Sequence, residues 1–442
     1  MSTNIQKNQI TEGIIWRQLL LFFFPILLGT FFQQLYNTID SVIVGQFVGK
    51  EALAAVGGSS AQIVAFVVGF FTGLSSGASV TIAQFFGAKD SRSANKGLHT
   101  AYAIAAFGGL ILTVSGIILT PFLLEMMNTP ADIVADSAVY LRIYFAGIIF
   151  VLIYNMGSAI LRATGDSKRP LYYLIVCCII NIVLDVLFVI VFHMGVMGVA
   201  VATLIAQAVS AVLVTLKLMR SEGILKLSVK QIRFHGSILK MQLKLGLPTG
   251  FEAILFSITN IAIQSAVNTF GTDTTAAWSA YGKLDAIFWM VSTAFGIAIT
   301  TFVGQNYGAG KMDRVRKSTR VCLLMDFIVS AVLVVFLIAA RFLLFRLFTN
   351  DSHVIEIGCD MLVLITPWYI VYVFIEVIAG ALRGVGNVVV PVAITLLGVC
   401  VLRIAWLAAM LKISPTISAI ILSYPVTWVI TALAFIIYYI YI

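Results

Sequence analysis

At 442 residues, 60% hydrophobic and only 11% charged, with a mean hydropathy of +1.04, the chain cannot clothe itself in the roughly 25% of charged residues that a water-soluble protein carries. Its formal charge of +9 does not call for nucleic acid. Lys and Arg gather in short loops between apolar runs, where membrane topology and an anionic leaflet account for them.

The polar start MSTNIQKNQITEG is too long for a charged leader region, and no small-residue cleavage site follows the first apolar run, so no removable signal peptide is expected. Twelve apolar runs come next, at 14–42, 52–82, 96–122, 137–161, 170–192, 196–218, 240–268, 275–303, 319–345, 356–382, 389–411 and 416–440. Each is at least as long as the 20 or so residues that cross a bilayer as a helix. None alternates apolar and polar residues as strands of a membrane barrel do. The expected fold is an all-α polytopic membrane protein with twelve transmembrane helices.

Acids inside such runs are costly and point to function. The first run carries Gln33, Asn37 and Asp40 at i, i+4, i+7, on one helical face. The second contains Gly73-Leu-Ser75-Ser-Gly77, a hydrolase-like pattern without the strand–turn–helix context that a nucleophile elbow needs. The fifth has Asn181 and Asp185 at i, i+4. If the first and fifth faces meet, the two carboxylates share one pocket and titrate as a unit, able to hold a proton, or a sodium ion among oxygens.

A basic stretch from Lys217 to Lys244 then interrupts the apolar pattern. The seventh run carries Glu252, Asn260, Gln264 and Asn268. The eighth sets Trp278, Tyr281, Asp285 and Trp289 at helical spacing, and the tenth Trp368, Tyr372 and Glu376. Rings beside carboxylates make a surface for organic cations. Asp326 stands alone in the ninth run and reads as an oddity of packing or surface. The five cysteines lie in or beside apolar runs and read as small buried side chains, and the four histidines show no metal-ligand spacing. No cofactor is expected, and no enzymatic activity.

The chain also repeats itself. Leu161-Arg-Ala-Thr-Gly-Asp-Ser-Lys-Arg-Pro170 returns as Leu382-Arg-Gly-Val-Gly-Asn-Val-Val-Val-Pro391, 221 residues later. Gln84-Phe-Phe-Gly-Ala-Lys returns as Gln305-Asn-Tyr-Gly-Ala-Gly at the same offset, and Pro25 matches Pro248. Six spans followed by six similar ones enter from the same side, a parallel internal repeat of the kind secondary transporters use. The repeated phrase has a mechanical reading: an Arg ends a helix, Gly165 or Gly386 caps it, and Pro170 or Pro391 opens the next. Asp40 and Asp185 have no acidic counterpart in the second copy, as expected of a site that one bundle alone carries. The expected organisation is an N-terminal six-helix bundle at 1–218, a cytoplasmic basic linker at 219–240 and a C-terminal six-helix bundle at 241–442.

These paired motifs, over essentially the whole chain, resemble the multidrug and toxic compound extrusion (MATE) transporters. The resemblance implies two six-helix bundles and export of organic, often cationic compounds against inward protons or sodium. In the proton-coupled bacterial branch the matching positions are Asp40, Asn181 and Asp185, with Tyr140, Asn155 and Thr203 as supporters and Asn37 beside them. A sodium ion at Asp40, Asn181 and Asp185 is the metal alternative. The sodium-coupled branch uses acids where Glu252 and Glu376 stand. The expected substrate wall is Asp285, Glu376, Glu252, Trp289, Tyr281, Tyr372, Asn260 and Gln264. The resemblance leaves a lipid-linked oligosaccharide or precursor flippase of the same superfamily as the alternative, which would line its cavity with Arg and Lys. An intramembrane hydrolase built on Ser75 is a third reading. A bacterial inner membrane location, both termini cytoplasmic, contact with lipid and small molecules, no nucleic acid, and a monomeric state complete the expectations.

Overall fold

The computed structural model describes residues 9–441, all helices and connections with no strand among them. The first eight residues of the polar start, on which the leader reading partly rests, lie outside the described residues. Among the described residues, twelve helices are long and apolar enough to cross a membrane: Ile15–Phe47, Lys50–Gly87, Ser91–Met126, Val134–Ala163, Lys168–Val191, Gly195–Met219, Gly236–Asn268, Thr272–Gly308, Met312–Arg346, Ser352–Gly384, Val389–Ile413 and Ile417–Tyr441. Most outrun their apolar cores. A helix stops at its cap, not where hydrophobicity fades; the third starts at the Asp90 cap, whose carboxylate accepts from Ser93 N–H at 3.0 Å.

The chain forms two compact units, one of residues 24–250 and one of the residues up to Phe23 with those from Phe251 on. Their boundaries fall inside the first and seventh spans, beside Pro25 and Pro248, and not in the linker at 219–240 where composition had suggested them. Proline removes one helical hydrogen bond and crowds the preceding turn, which weakens continuity at that point.

Within the unit of residues 24–250, the start of the seventh span packs backbone to backbone on the second. A Cβ at Gly73 would meet the Gly250 backbone, and one at Gly77 would meet Gln242 and Gly246. The hydrolase-like pattern is thus a small-residue packing face, and Ser75 spends its hydroxyl on Phe71 O at 2.9 Å. In the other unit, the start of the first span packs on the eighth through rings instead. Phe23 stacks on Phe295 at 4.1 Å, and Phe22 meets Phe302 edge-on at 6.0 Å.

The repeated phrases build the same helix end twice. Gly165 (φ 97°) and Gly386 (φ 90°) take left-handed conformations. Gly165 N–H bonds Arg162 O and Asp166 N–H bonds Leu161 O; Gly386 and Asn387 do the same to Arg383 and Leu382, the double bond of a Schellman cap. The Gln84 and Gln305 phrases form a second such pair, except that Lys89 (φ 59°) holds the left-handed position that Gly310 (φ 71°) holds in the second copy.

Loop cations have local duties too. Lys311 Nζ donates to Thr11 O at 2.9 Å, and Arg314 donates to Ile10 O and Gly13 O, fastening the short helix Gln9–Glu12. The linker is fastened to the third span. Asn95 donates to Ile224 O and Lys226 O, both at 3.1 Å. His99, only 1% exposed, receives Ser228 N–H on Nε2 at 3.0 Å while its Nδ1 bonds Asn95 O. That pairing requires the neutral ring. His235 meets Thr100 at 3.1 Å, and its burial, with Arg233, Lys96 and His99 nearby, holds it below the usual histidine range.

Candidate ion and substrate sites

In the unit of residues 24–250, Asp40, Asn181, Asp185 and Thr203 are all buried. Asp40 lies within electrostatic reach of Asp185, Asn181 and Thr203. No hydrogen bond of ordinary length closes among them, and Asp40 Oδ1, both Asp185 oxygens, both Asn181 amide atoms and the Thr203 hydroxyl have no partner. Tyr140 faces both carboxylates and stacks on Tyr144 at 6.2 Å. Two like charges in a dry pocket are costly unless a proton or a cation stands between them. The fifth span leaves α-helical winding directly after Asp185, in a π-turn at Val186–Val191, a distortion common at functional sites.

Other expected neighbours stand elsewhere. Asn37 and Gln33 are exposed, on the flank of the first span, because its inward face runs through Tyr36, Asp40, Ile43 and Val44. Asn155 is half-buried. Two members were missed by sequence reasoning. Tyr36 lies one turn before Asp40, and its hydroxyl accepts from Gln207 Nε2 at 3.4 Å. The signal was available in the i, i+4 spacing of Tyr36 to Asp40 and of Thr203 to Gln207.

In the unit from residue 251, Asp285 is fully engaged. Tyr281 and Tyr369 hydroxyls donate to Oδ1, and Trp289 Nε1 donates to Oδ2 at 2.7 Å. Around it Phe288 stacks on Tyr369 at 3.9 Å, and Tyr372 meets Trp289 at 4.7 Å and Trp428 at 5.4 Å. Trp368, expected on this face, is exposed and Tyr369 replaces it. A 3₁₀ turn at Thr366–Trp368 shifts the helical phase there, so counting by fours from Trp368 fails. Arg403 follows a second π-turn, Leu396–Val401. Its guanidinium lies 4.0 Å from the Tyr424 ring and donates to Thr427 at 2.9 Å.

Nearer the other end of the tenth span, Glu376 accepts from Arg383 at 3.1 Å. The repeated phrase therefore carries chemistry in its second copy, beyond the punctuation expected of it. Glu252 lies within electrostatic reach of Arg383 and Glu376, beside Thr395. Asp326 is fully buried, no surface oddity: Ser330 donates to its Oδ1 at 3.1 Å and Oδ2 has no partner. Asn260 is exposed, and Gln264 bonds Asn268 on its own helix at 2.8 Å, so this stripe does not join the Asp285 cluster.

A duplicated set of twelve spans, with an acid pair in one unit and an aromatic-acid cluster in the other, is an arrangement of the kind secondary transporters use. The MatE family model matches residues 25–187 and 248–408, two copies that begin at Pro25 and Pro248. The chain belongs to this family of multidrug and toxic compound extrusion transporters, which are membrane transporters and not enzymes. It is 30% identical to the probable multidrug resistance protein YoeA of Bacillus subtilis, over 87% of this chain and 84% of that one. It is 27% identical to the probable multidrug resistance protein NorM of Thermotoga maritima, over 92% and 88%. A solved multidrug resistance MATE family transporter of the MOP superfamily, in an outward-facing conformation, has the same fold, with a TM-score of 0.91 at 21% identity over 99% of this chain and 98% of that one.

Proposed function

We propose that this protein is a secondary active exporter, an antiporter that expels organic, often cationic compounds in exchange for protons or sodium ions. One observation carries the reading: Asp40 and Asp185 are buried together with carboxylate oxygens that no donor satisfies. Their neighbours Asn181 and Thr203 also offer oxygens, a hard donor set that suits a proton or a sodium ion and not a soft metal. Loading the ion cancels the repulsion and releasing it restores the repulsion, so occupancy biases the conformation of the spans that carry the acids.

The cluster around Asp285 is the proposed substrate wall. Asp285, Glu376 and Glu252 outnumber Arg383 and Arg403 among the buried and half-buried charges of this wall, which favours cations, and flat rings tolerate many ligand shapes. A flippase would turn Arg and Lys toward phosphate. Lys283 is exposed, and Arg403 is stacked on Tyr424 and bonded to Thr427, which supports the exporter.

Purified protein in liposomes, given proton and sodium gradients separately, should move an organic cation with one gradient and not with the other. Failure with both, alongside binding of a polyprenyl pyrophosphate, would replace the exporter by the flippase. In the proposed topology the basic linker and both termini are cytoplasmic, in a bacterial inner membrane. Ser228→Cys should then resist an impermeant thiol reagent in intact cells and react after permeabilisation; labelling in intact cells would invert it.

A further inference from the structure

A cavity of about 810 Å³ opens in the unit from residue 251, between the end of the ninth span and the starts of the tenth and twelfth. It lies at the opposite end of the ninth and tenth spans from Arg314 and Arg383. Its size falls within the roughly 300–1,000 Å³ of ligand pockets. Four charged side chains line it, Arg341, Arg346, Glu356 and Asp360. None of the ion pairs among the described residues joins any of these four.

The charges are ordered. Arg341 and Arg346 come from the end of the ninth span, while Glu356 and Asp360 sit one turn apart on the tenth. Arg341 is held by one bond to Ile338 O at 2.8 Å and by Phe342, whose ring lies 4.7 Å from the guanidinium carbon. The remaining Arg341 donors are free for a ligand. Arg341, the buried Cys359 and Asp360 line the same cavity, so the two signs share it. Phe342, Val363 and Leu364 line the same cavity and are 52%, 40% and 39% exposed. A polar pocket with exposed apolar flanks at the end of a membrane span opens toward lipid.

We infer that this cavity binds the headgroup of a zwitterionic aminophospholipid. Arg341 and Arg346 take the phosphate, in the fork geometry that suits guanidinium. Glu356 and Asp360 take the primary ammonium, and the acyl chains run over Phe342, Val363 and Leu364. An anionic lipid without an amine satisfies the arginines but leaves two carboxylates against its own charge. A choline headgroup brings charge but no N–H donors.

Native mass spectrometry of the purified protein with phosphatidylethanolamine, phosphatidylglycerol and phosphatidylcholine tests this. The unaltered protein should retain at least about threefold more phosphatidylethanolamine than either competitor, less than the tenfold that one charge-assisted hydrogen bond supplies. Arg341→Gln with Arg346→Gln should lose retention of phosphatidylethanolamine and phosphatidylglycerol alike. Glu356→Gln with Asp360→Asn should keep the lipids but abolish the preference among them. Retention by the arginine variant at the unaltered level, or equal uptake of all three lipids by the unaltered protein, overturns the assignment. Competition by soluble glycerophosphoethanolamine as strong as that of the whole lipid would reject a membrane source, and displacement by tetraphenylphosphonium would give the cavity to drugs.

Discussion

Buried acids occur in both compact units, and their surroundings differ. Asp40 and Asp185 lie beside Asn181 and Thr203 without closing a hydrogen bond, whereas Asp285 holds three donors and Glu376 a guanidinium. A carboxylate already supplied with donors is costly to disturb, because each loss strands a buried partner. One without donors can exchange a proton or ion with little rearrangement. Burial alone therefore does not distinguish the proposed coupling site; what sets it apart is whether the protein itself has satisfied the charge.

The widest separation between the two units should come from neutralising their acids. Asp40→Asn or Asp185→Asn should reduce gradient-driven efflux to background while thermal stability in detergent holds or rises, since a buried repulsion is removed. Asp285→Asn should instead lower stability by about 2 kcal/mol, as an amide N–H₂ replaces an oxygen facing a Tyr hydroxyl or the Trp289 N–H. Equal melting curves for the three variants would erase the distinction.

A smaller loss is expected from Gly296→Ala. A Cβ there would clash with Glu376 Oε1, so the side chain must leave Arg383 or the helices must part, at about 1–3 kcal/mol of stability. Unchanged melting would mean that the ion pair relocates freely. No residue of the Asp40 pocket should be disturbed.

The linker clasp gives a pH-dependent effect. His235 is held below its usual range in the docked linker, so docking favours the neutral ring and loses stability as pH falls below about 6.5, where the free ring takes a proton. Reactivity of Ser228→Cys toward thiol reagents in permeabilised cells should rise several-fold on acidification, and His99→Leu should raise it at neutral pH. A flat pH profile would remove the clasp.

The smallest change is a gain. Lys89 holds a left-handed position where the second copy has Gly310, at a steric cost of about 1 kcal/mol. Lys89→Gly should recover part of it as a higher melting temperature, and Gly310→Lys should lose a similar amount.

Helix spans were legible because the bilayer demands length and apolarity, both properties of contiguous sequence. The pairing of Asp40 with Asn181 and Asp185 was legible for a related reason: few polar residues are tolerated within such spans, and those present must meet something. Tyr36 and Gln207 were passed over, since an aromatic or an amide beside apolar residues does not announce which way it points. Tyr369 was hidden by the 3₁₀ turn before it, which no periodicity count anticipates. Arg383 had been read as punctuation alone, although Glu376 stands only seven residues before it on the same span; the packing duty of Gly73 was hidden because its partner, Gly250, is distant in sequence.

The chain by itself determined twelve membrane helices, their duplication and the helix caps that end them, because hydrophobic length, repeated phrases and glycine at left-handed positions act through neighbours in sequence. Tertiary structure decided where the compact units divide, which acids are satisfied and which are not, and how four charges come to share one cavity. Some donors, Tyr281, Trp289 and Arg383, stand on the acid's own helix, but Tyr369 reaches Asp285 from another, and a side chain's partner across a helix interface is set by packing, not by spacing along the chain.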